Sequence, residues 1–331
     1  MSSTVITYVT SQGSLPLLIC RTWTSATLVK EEQTEIMGKV REKKSKIGFS
    51  FSPGGFLFTY HLGVLETLKE NGFIDHETPL AGCSAGSLAV VAHLLDKSKE
   101  TMNACVRISS ECERLGGFRG RLLPLLSKEL YYIAPPNAHE ILNGRGFVGV
   151  GYTQIFPYPA GILQDSFVSL DDLVEALCSS SMLPFFTANK FCLKRKPIES
   201  QKYVIRSQNK IKRKLLQMVQ YFPRLVIDGF FSVPRCRFGC PKFPPEVGVD
   251  RTVTICVFPH NAAQLTASKE EDQISPIPEN DETEKKLYNR LFEIGLKKTS
   301  PSEVHYEMFN RGKKDALRWI SAEKQRAVLY E

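Results

Sequence analysis

An α/β fold with a mostly parallel central sheet is the class this sequence predicts, on three observations. Ile47-Gly48-Phe49-Ser50-Phe51 alternates apolar and small residues as a strand does, and Pro79-Leu80-Ala81 reads as a second strand. Each is followed at once by a glycine-containing turn and then by residues of helical period. Two such strand-turn-helix units in succession mark strands laid parallel with helices packed across them. The chain's 331 residues, 42% hydrophobic and 24% charged, can bury the core of one large domain of this kind or two small ones.

Taken in order, residues 1–45 are set apart as a flexible N-terminal segment. Its first thirty positions are rich in Ser and Thr, hold Arg21 and Lys30, and contain no acid. That is the composition of an organelle transit peptide, and equally of a plain tail. The ordered domain is expected over 46–265. After the first strand, Ser52-Pro53-Gly54-Gly55 interrupts the pattern, and a helix follows with Leu57, Tyr60, Val64 and Leu68 on one face and Gly72 as its stop. The second unit runs from Pro79 through the turn Gly82–Gly86 to a helix over Leu88–Leu95. Lys99–Leu115 reads as helix and Phe147–Phe156 as strand. Ser169-Leu170-Asp171-Asp172 resembles a capping box opening another helix. Leu225-Val226-Ile227 is a short strand ending in Asp228-Gly229, and Arg251–Phe258 is expected as the last strand. Residues 266–284, acidic and containing Pro276 and Pro278, read as a linker. A helical C-terminal extension follows over 285–331, with Leu287, Leu291 and Ile294, then Ala316, Leu317 and Ile320, as its apolar positions. No internal repeat is visible.

The net charge of +8 favours anionic partners. No apolar run approaches the ~18 residues needed to span a bilayer, and Ser87–Leu95 is broken by His93, so membrane or lipid-droplet contact is expected to be peripheral. Nine cysteines, scattered and odd in number, together with no Asn-x-Ser/Thr sequon, argue against a secreted disulfide scaffold. An intracellular location follows, cytoplasmic or membrane-associated, with plastid or mitochondrion left open by the N-terminal composition. Lys194–Lys214 carries nine Lys or Arg and one acid, then runs into Leu215, Leu216, Val219 and Phe222. A basic face backed by an apolar one fits an anionic membrane, with Lys210, Lys212, Arg213 and Lys214 as candidate contacts. A solvated loop before an ordinary helix fits the same residues. Nucleic acid is disfavoured because no aromatic platforms interleave these charges.

Three patterns are read as decoys. Gly144-Arg145-Gly146-Phe147-Val148-Gly149 spells a dinucleotide fingerprint, but it precedes a strand instead of following one, so no nucleotide cofactor is expected. His139-Glu140 lacks a second histidine four residues on. Cys236 and Cys240 form a pair with no partner pair, so no metal site is expected.

Gly82-Cys83-Ser84-Ala85-Gly86 is the motif that carries chemistry. Between a strand and a helix, such a turn holds its serine in a strained backbone conformation that pushes Oγ toward substrate, and the flanking glycines relieve crowding. The N-terminus of the following helix aims N–H groups and a positive dipole end at a developing oxyanion. Cys83 should point inward and pack. Two arrangements compete to activate Ser84. A triad would run Ser84, Asp228, His260, the chain order of α/β hydrolases. A dyad would have Asp228 accept the proton directly, its basicity raised by desolvation. Only one strand, the Gly54–Gly55 loop and one helix precede Ser84, which is too little for the α/β-hydrolase elbow. The dyad also gives the Gly54–Gly55 loop a role as oxyanion hole, and it is the preferred reading.

These residues resemble a known family. Phe51-Ser52-Pro53-Gly54-Gly55-Phe56-Leu57, Tyr60-His61-Leu62-Gly63-Val64 and Gly82-Cys83-Ser84-Ala85-Gly86-Ser87 are similar to the patatin-like phospholipases, and most of all to their adiponutrin and adipose-triglyceride-lipase branch. Pro136-Asn137-Ala138-His139 with Gly144-Arg145, Cys178–Phe185 and Val226-Ile227-Asp228-Gly229 extend the likeness. So do Phe309-Asn310-Arg311-Gly312 and Asp315-Ala316-Leu317-Arg318, and together the matches span residues 47–320. The resemblance implies a patatin-type α/β/α sandwich, a Ser84–Asp228 dyad, oxyanion donors from Gly54, Gly55 and Ala85, and no metal or nucleotide cofactor. It implies cleavage of fatty-acyl esters of glycerolipids through an acyl-enzyme, with transfer to a lipid alcohol as a variant. Two positions depart from the family pattern. Pro53 stands where the first loop glycine is usual and has no N–H to donate. Phe230 stands where a second glycine follows the aspartate. These departures motivate the rival expectation of a non-catalytic lipid-binding or scaffold protein on a decayed fold.

Overall fold

The alternation read in the sequence becomes β1 (Ile47–Phe51), in which Phe49 and Phe51 are fully buried. In the computed structural model, which describes residues 46–196, 222–279, 282–296 and 301–330, β1 lies at the heart of an eight-stranded mixed sheet. Its parallel neighbours are β2 (Leu80–Cys83) and β7 (Arg251–Ile255). The sheet order is β5-β6-β3-β2-β1-β7-β8, with β4 paired to β3. β3 (Val148–Phe156) runs parallel to β2, and β8 (Gln273–Ile274) parallel to β7. β4 (Ala160–Gln164), β5 (Leu193–Arg195) and β6 (Arg224–Ile227) form the antiparallel pairs. The expected α/β class with a mostly parallel sheet and C-terminal helices is the architecture found.

Helices form where the sequence predicts them, and two more, Leu122–Ile133 and Ala138–Asn143, stand where none is expected. A 3-10 turn over Gly55–Leu57 leads into α1 (Phe58–Glu70), which stops before Gly72 at φ +75°. α2 (Ala85–Leu94) follows β2 without a loop, and α3 (Ser98–Arg114) comes next. α4 (Leu122–Ile133) and α5 (Ala138–Asn143) precede β3. α6 (Leu170–Ser180) opens on Ser169, whose side chain accepts from the Asp172 N–H at 3.1 Å, the cap the sequence predicted. The chain closes with α7 (Glu284–Leu296) and α8 (Ser302–Tyr330).

The C-terminal helices belong to the core. α8 packs along α1 at a glycine crossing: a Cβ on Gly63 would stand 2.0 Å from the Phe309 carbonyl oxygen, and one on Gly312 2.1 Å from that of Tyr60. Beside the crossing, the buried Tyr60 hydroxyl donates to Asp315 at 2.9 Å, and Arg318 pairs with the other Asp315 oxygen. Of the apolar positions read in the extension, Leu287, Leu291, Ala316 and Ile320 are buried, whereas Leu317 faces solvent.

The strand expected over Arg251–Phe258 ends at Ile255 and is not the last. Beyond it the Cys256 N–H donates to the Ile274 carbonyl, and Gln273–Ile274, inside the acidic proline-containing stretch, adds a two-residue strand. So short an element has no periodicity to detect. The basic run from Lys194 also begins differently from a solvated loop. Arg195 lies in β5, buried between Asp172, at 2.6 Å, and the ring of Tyr152. Lys210, Lys212, Arg213 and Lys214 lie outside the described residues. Among the described residues, no helix is long and apolar enough to cross a membrane.

Candidate active site

Ser84 sits between β2 and α2 with φ 51° and ψ −123°, a left-handed conformation that a side-chain-bearing residue adopts at a cost of order 1–3 kcal/mol. Its neighbours show what holds it there. A Cβ on Gly82 would lie 2.4 Å from the backbone carbon of Gly86, and one on Gly86 would lie 2.6 Å from the Phe51 carbonyl oxygen. The turn is therefore clamped between β1 and the first turn of α2, with no room for alanine at either glycine.

A serine network finishes the clamp. The Ser84 N–H donates to Ser180 Oγ at 2.7 Å, and Ser180 Oγ donates to the Gly151 carbonyl at 2.5 Å. Ser87 Oγ donates to the Ser84 carbonyl at 2.7 Å. The last turn of α6 and β3 thus fix the elbow from behind. Ser180→Ala should lower stability by about 1–3 kcal/mol, because it strands a buried N–H and a buried carbonyl; a denaturant midpoint unchanged from wild type would contradict this.

Asp228 reaches the same point from another strand. β3 continues past Gly151, the partner of Cys83, to Phe156, and β6 returns antiparallel along that overhang with Ile227 opposite Thr153. The strand end after Ile227 is thereby brought level with the elbow. Thr153 Oγ1 donates to the Asp228 carbonyl at 2.8 Å, and the Asp228 N–H donates to the Met182 carbonyl at 2.8 Å. The side chain caps a 3-10 turn over Gly229–Ser232, Oδ1 accepting the Phe230 N–H at 2.7 Å.

The carboxyl is 1% exposed, and burial pushes its pKa from the ordinary carboxylate range to about 7, opposed by the Phe230 N–H and the Ser84 hydroxyl. Oδ2 has no hydrogen bond of good geometry, yet the Ser84 hydroxyl is close enough to pull the pKa down. Serine and carboxylate therefore face each other loosely, and such contacts commonly tighten only when substrate binds. A buried acid that gains a proton near neutrality can act as a general base at neutral pH.

The loop after β1 lies against both residues. Ser52 N–H donates to the Ile255 carbonyl, and the buried His61 donates Nε2–H to the Ser52 carbonyl at 2.8 Å. Desolvation lowers the His61 pKa to about 4, so the ring stays neutral beneath the loop. Gly54 and Gly55 are pressed from outside by α7: a Cβ on Gly55, at φ +57°, would lie 2.2 Å from the Gly295 carbonyl oxygen. Gly55 and Ala85 are the first residues of their helical turns, whose leading N–H groups have no partner within the turn. Pro53 packs on Gly239 and has no N–H, which leaves Gly54, Gly55 and Ala85 as the candidate donors.

These residues share one cavity of about 390 Å³. Pro53, Gly54, Gly55, Ser84, Ala85 and Asp228 line one part of it. Leu88, Ile108, Leu122, Leu126, Leu130 and Ile133 from α2, α3 and α4 line another, and Phe230, Phe238, Phe258, Tyr288 and Phe292 a third. The lining is that of a site for a long apolar group with few polar atoms.

The structure brings together Ser84, Asp228, Gly54, Gly55, Ala85, Gly82 and Gly86, and leaves His260 out of the lining. Cys83 points away from the cavity, toward Gly151 and Gly229, its thiol pKa pushed up by burial. Ser180 and His61 are not among the site residues expected from the sequence, although both lie inside segments that carry the resemblance, Cys178–Phe185 and Tyr60–Val64. The Gly144–Gly149 pattern follows α5 and enters β3, the reverse of a dinucleotide site.

No protein-family profile matches the chain. Over 223 residues it is 31% identical to the human patatin-like phospholipase domain-containing protein 4, covering 64% of this chain and 72% of that one. It is 29% identical to the human 1-acylglycerol-3-phosphate O-acyltransferase PNPLA3 over 42% of this chain. It is 28% identical to the mouse patatin-like phospholipase domain-containing protein 2 over 44%. The matched part is 30% of the length of each of the latter two relatives. Among solved structures, a chain of the ExoU–SpcU complex of Pseudomonas aeruginosa aligns with 85% of this chain and 52% of its own, at 13% identity and a TM-score of 0.39.

Proposed function

Because the chain belongs to the family of patatin-like phospholipase domain-containing proteins, we propose that it cleaves fatty-acyl esters of glycerolipids with Ser84 as nucleophile and Asp228 as base. The observation that carries this is the pairing of a strained serine with a buried carboxyl of raised pKa at one cavity with a mostly apolar lining. Asp228 takes the hydroxyl proton as Ser84 Oγ bonds to the ester carbonyl carbon, and the N–H groups of Gly54, Gly55 and Ala85 hold the oxyanion. The C–O bond to the glycerol oxygen breaks, that oxygen leaves with the proton from Asp228, and an acyl-enzyme remains. Water, deprotonated by the same carboxylate, then releases the fatty acid. A lipid alcohol in place of water would give acyl transfer, the activity for which the 29%-identical human relative is named. Peripheral contact with a lipid surface completes the proposal.

A fluorophosphonate tests it directly, because its phosphorus is attacked only by an activated serine. The full chain should be labelled covalently and should release fatty acid from mixed glycerolipid vesicles. A folded protein that does neither would leave lipid binding without chemistry as the better account, with Pro53 the residue to examine.

A further inference from the structure

The segment from Leu183 to Phe191 has two faces. Leu183, Phe186 and Thr187 line the cavity, and Phe186 packs edge-on to Phe118 with ring centroids 5.2 Å apart. Between them Phe185 turns outward, 57% exposed, and Phe191 stands beside it, 53% exposed, with centroids 5.8 Å apart. Two exposed phenylalanines in contact are unusual on a surface that gains nothing from water at that point.

This display is built in. Phe185 has φ +57°, a conformation that bulky residues avoid, and it is held there from both sides. Its N–H donates to the Lys190 carbonyl at 2.9 Å, and the N–H groups of Gly120 and Leu123 donate to the carbonyls of Phe186 and Thr187. Asn189 packs so closely over Gly120 that a Cβ there would lie 2.1 Å from its Oδ1. The loop carries backbone strain in order to point a ring at solvent.

The charge carried by this segment has one sign. Arg119, Lys190, Lys194 and Lys196 are exposed, and no acid occurs from Leu183 to Lys196. Aromatic rings that enter the headgroup region, ringed by cations that meet anionic phosphates, are the chemistry of a lipid interface. The position suits that partner too, because the inner face of the same loop walls the cavity.

We propose that Phe185 and Phe191, with Arg119, Lys190 and Lys194, form the surface by which this protein docks on an anionic lipid bilayer, setting the cavity against the membrane. The inference rests on the lipid reading of the site but not on its turnover. A second copy of the chain, or a neutral surface, would satisfy the rings without using the cations.

Co-sedimentation of the full chain with phosphatidylcholine vesicles, with and without phosphatidylserine, separates these. The wild type should partition to the phosphatidylserine vesicles preferentially. Phe185→Ser with Phe191→Ser should weaken that partition at least about tenfold, the effect of withdrawing buried aromatic area. Lys190→Glu with Lys194→Glu should abolish the preference for phosphatidylserine. Hydrolysis of a soluble butyrate ester should stay at the wild-type rate in both variants, since none of the four side chains lines the cavity. Vesicle partition unaffected by either pair would overturn the docking surface, as would loss of a dimer in ultracentrifugation as the sole effect of the serine pair. A wild type that sediments with vesicles but hydrolyses nothing would overturn the hydrolase reading alone.

Discussion

Asp228→Asn should cost on the order of 10⁴-fold in kcat, and Ser84→Ala at least as much, with fluorophosphonate labelling lost in the latter. The asparagine keeps the geometry, because its Oδ1 can still accept the Phe230 N–H that Asp228 accepts at 2.7 Å. It removes only the capacity to take a proton. In a dyad no histidine stands between carboxylate and serine, so the loss falls on the base itself. His260→Ala, outside the cavity lining, should change turnover little. A wild-type rate in Asp228→Asn would remove the dyad. The pH profile carries the same signature: kcat/KM should fall as pH drops through about 7, where burial places the carboxyl titration.

The same substitution should make the protein more stable, and the sign follows from linkage. A carboxyl pushed up to about 7 in the folded state and ordinary in the unfolded one keeps a proton, between roughly pH 4 and 7, that the unfolded chain has lost. Stability contributed by that proton is full below the unfolded pKa and is lost as pH rises through about 7. The neutral amide of Asp228→Asn carries no such penalty. The variant should therefore melt several degrees above wild type at pH 8, and the two curves should converge near pH 4. Equal melting temperatures at pH 8 would mean that the carboxyl is not desolvated as its burial implies. Turnover and stability moving in opposite directions is what a functional, and not a structural, acid produces.

Much of this site was legible because its signals are local. The elbow needs glycine at 82 and 86 for steric reasons confined to one turn, and the alternation of Ile47–Phe51 sets β1 by itself. Ser169 announces α6 by a cap spanning three residues. What stayed hidden depends on partners distant in sequence. Ser180 looks like any helix-end serine until Gly151 and Ser84 are placed around it. Arg195 reads as one more cation of a basic run until Asp172 and Tyr152 enclose it. β4 and β5 are short antiparallel returns, and β8 has two residues, too few for a period to show. α4 exposes part of its apolar pattern to the cavity, so its leucines serve the site as much as the core.

Gly229→Ala should cost at least about 100-fold in turnover, whereas Phe230→Gly should cost less than about tenfold. The contrast follows from what each position does. A Cβ on Gly229 would lie 2.3 Å from the Gly151 carbonyl oxygen and 2.6 Å from Cys83 Sγ. Neither can retreat: Gly151 pairs with Cys83 in the sheet, accepts from Ser180, and so anchors the elbow. The turn after β6 would have to lift instead, carrying Asp228 away from Ser84. Phe230 meets the dyad only through its N–H, which every residue but proline supplies, and its ring lies among Phe231 and Phe238 in the aromatic part of the cavity. The departure from the family pattern at position 230 thus leaves the base in place and alters the wall that substrate touches. If Phe230→Gly instead matched Gly229→Ala in its loss, the ring would be holding the aspartate, and the reading of Gly229 as the steric hinge of the site would fall.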